Sequence, residues 1–278
     1  MKRFLLGLTC VAIFAAAIPA AEKDSRLFEL RVYSVEKGKQ AAVSNFIAKS
    51  GIKYMKKHNV ELLGAWVPAD ASDERVITLL AHKDKESAEK NVAAYMADEG
   101  FRKEITEAMK DGPVITGVAR FFLNATDYSP PVKAANAGDR IFELRTYVAT
   151  PNNLDNLNAR FRDHTVKLFE KHGMTNVAYF TFGEGEKTTV GDLLKGCSAA
   201  GKDASDVKPD TEAKPLALVY LITHKSPDAR DENFSKFGRD PEWNAARTNS
   251  ERKGGGSLTA KNAVKSLILK STEYSPIK

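Results

Sequence analysis

Cysteine is nearly missing from this chain, which has two in 278 residues, Cys10 and Cys197. Cys10 lies in an apolar leader, so a mature chain keeps one thiol, forms no intrachain disulfide and depends on its cores. No Cys-Xaa-Xaa-Cys pair suggests a metal site, and no Cys-Xaa-Xaa-Cys-His run offers haem attachment. A phosphate-cradling glycine loop and a Gly-Xaa-Ser-Xaa-Gly elbow are also missing. Gly254-Gly255-Gly256 reads as a turn before the last strand. Charge of one sign is scarce as well. The 42 basic and 36 acidic residues are interspersed, with no basic block of the kind nucleic-acid grooves use, so a nucleic-acid partner is not indicated.

One long apolar run is present, Phe4 to Ala17, preceded by Lys2 and Arg3 and followed by Pro19-Ala20-Ala21. Residues 1–20 read as a signal peptide, which implies an exported, periplasmic or extracellular protein. Losing Lys2 and Arg3 lowers the formal charge from +6 to +4. The run falls short of the roughly 20 apolar residues a bilayer span needs, so no stable anchor is expected after cleavage. Cys10 sits within the run, a poor place for lipidation.

The strongest positive feature is a repeat. Phe28-Glu29-Leu30-Arg31 returns as Phe142-Glu143-Leu144-Arg145, an offset of 114 residues that also maps Lys57-His58 onto Lys171-His172 and Trp66 onto Phe180. Further on, His82-Lys83 answers to His224-Lys225 and Asp98 with Phe101 to Asp240 with Trp243. Each unit closes with a tyrosine turn, Tyr128-Ser129-Pro130 and Tyr274-Ser275-Pro276. A period this long means duplicated domains rather than a solenoid.

Within the first unit, Leu27 to Val35 alternates like a strand and Lys39 to His58 carries a broad helical apolar face. Two further strands, Leu62 to Val67 and Val76 to His82, precede helical pieces at Ser87 to Met96 and Phe101 to Met109 and a last strand from Val114. The order is β-α-β-β-α-β, and the second unit repeats it. The expected organisation is a first domain over 27–129, a linker over 130–140 and a second domain over 141–276 with an insertion at 183–215. A four-stranded sheet with helices on one face needs cover on the other. The expected fold is therefore α+β, two tandem ferredoxin-like repeats forming an intrachain dimeric α/β-barrel pseudo-dimer. Whether it also forms a homo-oligomer stays open.

Phe142-Glu143-Leu144-Arg145-Thr146-Tyr147, the segment Asn158 to Thr165, Phe169-Glu170-Lys171-His172-Gly173-Met174, Asp240-Pro241-Glu242-Trp243 and Tyr274-Ser275-Pro276 together resemble the NIPSNAP family. The first repeat looks like a diverged copy, with Ser50 at the place of His164 and Gly100-Phe101 at that of Glu242-Trp243. The resemblance implies the dimeric α/β-barrel fold and leaves activity undefined.

In both first strands Glu, Arg and Tyr share one face, and Phe and Leu the other. If helices cover the apolar face, then Glu29, Arg31, Tyr33, Glu143, Arg145 and Tyr147 point into the space between the sheets, where buried charges must pair. Two readings stay open: a ligand pocket, and a Glu-Arg ladder that fixes sheet register. For the pocket, the catalytic candidates are Arg145 for an oxyanion and His164 or Tyr147 for a proton, with Glu29, Arg31, Tyr33, Glu143, Tyr220 and His224 as ligand-binding residues. His58 and His172 fall at helix C-termini, where structure explains them. No metal site is expected, no cofactor is predicted, and haem held by a histidine is the remaining cofactor alternative. Three functions follow: a binder of a small organic molecule between the sheets, a cofactor-free oxygenase or isomerase, or a scaffold acting through its outer helices or the insertion.

Overall fold

The computed structural model describes residues 23–136, 138–182, 196–197 and 216–278. The expected signal peptide, and all of the 183–215 insertion except Gly196 and Cys197, lie outside these residues.

Each unit contributes four strands: β1 (Leu27–Val35), β2 (Glu61–Pro68), β3 (Val76–His82) and β4 (Ile115–Ala125), then β5 (Ile141–Ala149), β6 (Thr175–Phe182), β7 (Ala217–His224) and β8 (Thr259–Ser271). They join into one closed barrel in the order β1-β3-β2-β8-β5-β7-β6-β4, with antiparallel ladders. Two short seams close it, Trp66 to Pro68 of β2 against Leu269 to Ser271 of β8, and Leu123 to Ala125 of β4 against Phe180 to Phe182 of β6. Closure removes the sheet edges that two separate halves would expose.

The helix after the first strand is broken in both units at the same place. α1 (Gln40–Phe46) passes through a π-turn at Ile47–Gly51 into α2 (Ile52–Lys57), and α5 (Leu154–Arg160) passes through one at Phe161–Thr165 into α6 (Val166–Lys171). Apolar periodicity predicts one continuous helix; the extra residue per turn has no signature in it. The second helical pair of each unit is α3 (Lys85–Ala97) with α4 (Glu99–Ala108), and α7 (Pro227–Arg239) with α8 (Pro241–Lys253). Asp98 and Asp240 cap α4 and α8 by accepting backbone N–H groups, and Pro241 fits the first turn of α8. The same carboxylates receive the Lys-His pairs that end α2 and α6: His58 at 2.8 Å and Lys57 at 2.6 Å on Asp98, His172 and Lys171 at 2.7 Å on Asp240.

The barrel interior is apolar and shared. Phe28, Leu30, Val32, Trp66, Leu79 and Phe121 of the first unit meet Phe142, Leu144, Phe180, Val219, Leu221 and Leu269 of the second in one cluster. A void of about 20 Å³ lies there, lined by side chains such as Leu30, Trp66, Leu144 and Phe180. Cys197 is buried in the same cluster, and Arg75 donates to the carbonyl of Gly196 at 2.6 Å. β3 and β7 are buried along their whole length, because the barrel covers one face and helices the other.

The tyrosine turns are reciprocal clasps. Tyr128 leaves the first unit to donate to Asn158 at 2.7 Å, and Ser129 Oγ accepts the backbone N–H of Tyr179. Tyr274 leaves the second unit to meet Ser44 at 3.1 Å, and Ser275 Oγ accepts the N–H of Ala65. Asn158 and Tyr179 are the 114-residue equivalents of Ser44 and Ala65, so each unit finishes the other.

Candidate functional site

The direction of the first strands differs from the expectation. Phe28, Leu30, Phe142 and Leu144 fill the barrel, while Glu29, Arg31, Tyr33, Glu143, Arg145 and Tyr147 lie on the opposite face, beneath the helices. Alternation tells which residues share a face but not which way it turns. The physical reason is the closed interior: eight inward faces meet there, with no polar partner or water to compensate a charge. A ligand pocket between the sheets is therefore excluded at these residues, and that space is packed.

Beneath the helices the glutamates become the centres of two related networks. Glu29 accepts from Arg31 at 2.6 and 2.9 Å, from His82 Nε2 at 2.9 Å and from Arg120. Glu143 accepts from Arg145, from Arg230 through two 2.8 Å bonds, from His224 Nε2 at 3.0 Å and from Ser266 at 2.6 Å. Both glutamates are fully buried. Burial opposes their ionisation, but the bonds from His82 and Arg31, and from His224 and Arg230, outweigh it and hold both carboxyls well below the usual range. This is the ladder reading realised on the helix side.

His82 and His224 do not fit a haem. Their Nε2 atoms are held by the glutamates, and their Nδ1 atoms are buried with no partner and no opening toward a ligand. No cluster of three or more potential metal ligands occurs among the described residues.

The two networks diverge above the arginines. Thr78 pairs with Arg31 across the first sheet, whereas Tyr220 pairs with Arg145 across the second. Arg145 donates through Nε to the Tyr220 hydroxyl at 2.8 Å and through Nη2 to the Tyr147 hydroxyl at 3.0 Å. Its guanidinium also lies 4.8 Å from the Phe234 ring centroid. Tyr220 is stacked on Tyr179 at 5.3 Å, and Phe161 of the π-turn closes edge-on over Tyr147 and Tyr220. Burial pushes the Tyr220 phenol well above its ordinary value, so it keeps its proton at neutral pH. Each hydroxyl accepts from Arg145. If one donates to the other, a phenolic proton is still left without an acceptor among the described residues.

A second arginine borders this layer. Arg160, the last residue of α5, is 6% exposed, and its Nε is buried without a hydrogen-bond partner. It lies over the ring of Trp243 at 5.3 Å, and its nearest carboxylate is Glu251 at 3.9 Å. Arg160 lies within the Asn158 to Thr165 segment, where periodicity does not distinguish it from its charged neighbours. The available signal was the repeat itself, which sets Arg160 opposite Phe46, a core residue packed on Phe101 at 5.8 Å. Each first-helix π-turn follows directly on this position, and π-turns are often found at functional sites.

Of the expected catalytic residues, Arg145 and Tyr147 come together. His164 sits half-buried on the π-turn and makes no hydrogen bond or ion pair to a described residue. A separate surface groove of about 460 Å³, between Ile52, Met55, Leu62, Tyr274 and Pro276, has Lys56 and Glu61 in its lining and no buried polar focus.

Residues 28–130 match the sequence model of the NIPSNAP family. The residue resemblance was densest in the second half. A candidate monooxygenase from Lactobacillus acidophilus NCFM is similar in fold, at 10% identity over 89% of this chain and 94% of that one, with a TM-score of 0.53. An anthrone oxidase-like protein is similar at 11% identity over 90% and 92%, also with a TM-score of 0.53. A NIPSNAP family protein from Agrobacterium tumefaciens aligns at 19% identity with 38% of this chain and 98% of its own, with a TM-score of 0.35. Among curated proteins, none matches the sequence.

Proposed function

We propose that this chain binds a small carbonyl-bearing organic molecule in the helix-covered layer of its second half, with Arg145, Tyr147 and Tyr220 as the polar floor. The observation that carries this reading is the hydroxyl pair on Arg145, in which both oxygens accept from one guanidinium and one phenolic proton has no acceptor among the described residues. A ligand oxygen would take that proton. The first half cannot offer the same floor, because Thr78 stands where Tyr220 does. In this reading the second half binds and the first half serves as its structural counterweight. The leader-like residues 1–20 support an exported protein, which N-terminal sequencing of the native protein tests.

The test is thermal stabilisation by a panel of aromatic ketones, acids and enols. Tyr147→Phe and Tyr220→Phe keep the rings and remove the hydroxyls; both should lose the response, while Tyr33→Phe keeps it. Loss in His164→Ala as well would extend the site along the π-turn. A melting temperature that no compound moves would count against binding.

A second reading is a cofactor-free oxygenase or isomerase. The fold shared with the candidate monooxygenase and the anthrone oxidase-like protein over nine-tenths of each chain supports it. Arg145 would stabilise an oxyanion and Tyr147 would hand over a proton. Oxygen uptake with polycyclic phenols or anthrones separates this reading from binding alone: turnover lost in Tyr147→Phe supports it, and ligand binding without turnover counts against it.

A further inference from the structure

We infer that the molecule taken up by the second half is an anion, a carboxylate or enolate, and that Arg160 is the residue that selects it. This rests on the binding reading above and adds the charge of the ligand.

Five arginines lie on the helix side of the two half-sheets. Arg31, Arg120, Arg145 and Arg230 each donate directly to a buried glutamate. Arg160 is as deeply buried as Arg31, at 6% against 5% exposed, yet donates to nothing among the described residues. Its one carboxylate, Glu251, is 3.9 Å away and sits at the surface, beyond hydrogen-bond reach. Burial accordingly pulls Arg160 below arginine's ordinary value, whereas tyrosine and glutamate partners raise Arg31 and Arg145 despite the same burial.

A buried cation whose single carboxylate lies beyond hydrogen-bond reach at the surface is poorly compensated and costs stability. The first half shows the structural solution. Phe46 packs on Phe101 at the place where Arg160 lies over Trp243. That exchange of Phe for Arg puts a planar fork of donors next in the chain to Phe161, whose ring packs edge-on against Tyr147 and Tyr220. An arginine fork suits a planar two-oxygen anion. One oxygen would take the Arg160 edge and another the phenolic proton of the tyrosine pair. Trp243, Phe161 and Tyr147 supply aromatic walls for a ring, so the substrate class is an aromatic carboxylate or the enolate of an aromatic ketone.

The experiment compares 2-naphthoate with its neutral isostere 2-naphthamide, by calorimetry and thermal shift on the full chain. The expected result is that naphthoate binds more tightly by roughly tenfold or more, the scale of a hydrogen bond to a charged group. In Arg160→Met the two probes should bind alike, while Arg162→Met, on the exposed side of the π-turn, should keep the preference. A ligand-free readout stands beside this one. Arg160→Met should melt above the unmodified protein, because it removes a buried charge that only the distant Glu251 offsets; melting below it would make Arg160 a structural residue and overturn the inference. Equal binding of the two probes to the unmodified protein overturns the anion assignment and leaves the binding reading standing. Binding of neither probe removes both.

Discussion

Arg230 reaches Glu143 through two hydrogen bonds of 2.8 Å from a helix position that Ala88 fills in the first half. Arg120, by contrast, reaches Glu29 from strand β4, where the second half has Ser266. Two arginines and a histidine thus surround each glutamate by different routes. Glu143→Gln removes the charge that these cations share and should cost about 3 kcal/mol, as does breaking a buried pair. Arg230→Ala leaves Arg145, His224 and Ser266 in place and should cost about half as much. Urea denaturation of both variants checks the ordering.

The pH dependence follows from carboxyls held below their ordinary range, with those related by the repeat among them. Burial opposes ionisation of Glu29 and Glu143, but His82, Arg31, His224 and Arg230 hold them down; Lys57 and His58 do so for Asp98, and Lys171 and His172 for Asp240. A depressed folded-state value gives stability that is complete above the unfolded carboxylate range and is lost as the pH falls below about 4. The urea midpoint should hold from neutral pH down to that point and then drop steeply. In Asp98→Asn with Asp240→Asn the protein should begin weaker and lose less on acidification.

Packing inside the barrel gives a third expectation. Leu144 borders a void of only about 20 Å³, so Leu144→Ala should cost about 2–5 kcal/mol. Yet it should leave ligand stabilisation intact, because the proposed site lies on the other face of β5. Gly64→Ala is a sharper probe: a Cβ there would stand 2.0 Å from the Trp66 ring. The indole must shift, at a cost of about 1–3 kcal/mol, and the emission of Trp66 should move to longer wavelength.

Separate expression tests the shared interior. Chains covering residues 23–135 and 136–278 should purify together as a one-to-one complex, since each alone exposes the apolar face of a half-barrel. Independent soluble monomers on size exclusion would contradict a common core. Ser275→Ala in the second chain should weaken the complex, because it orphans the Ala65 backbone N–H.

Much of this architecture was legible. The 114-residue offset located the paired strands, and the Lys-His and Asp-Pro signals located helix ends that proved to bind each other. The orientation of the Glu-Arg-Tyr face was not legible, because a strand's alternation is unchanged when it is turned over. The full burial of Val76 to His82 and Ala217 to His224 was the clue that both sheet faces are covered. His164 drew attention as the asymmetric histidine, yet the asymmetry the structure joins to the tyrosine pair is Arg160 for Phe46. One more charged residue in an Asn-Ala-Arg-Phe-Arg-Asp-His stretch carries no mark of burial until the fold bends the helix there.

The crossing of the two tyrosine turns has a temporal consequence. Leu63 receives its bond from the N–H of Ile277, and Ala65 its bond from Thr272, so the edge strand of the half made first on the ribosome is completed by residues made more than 200 positions later. Until those residues emerge, the nascent first half carries an open seam at Trp66 to Pro68. Native structure should therefore appear late and all at once, with the early half in need of a holding chaperone until synthesis delivers its missing neighbour.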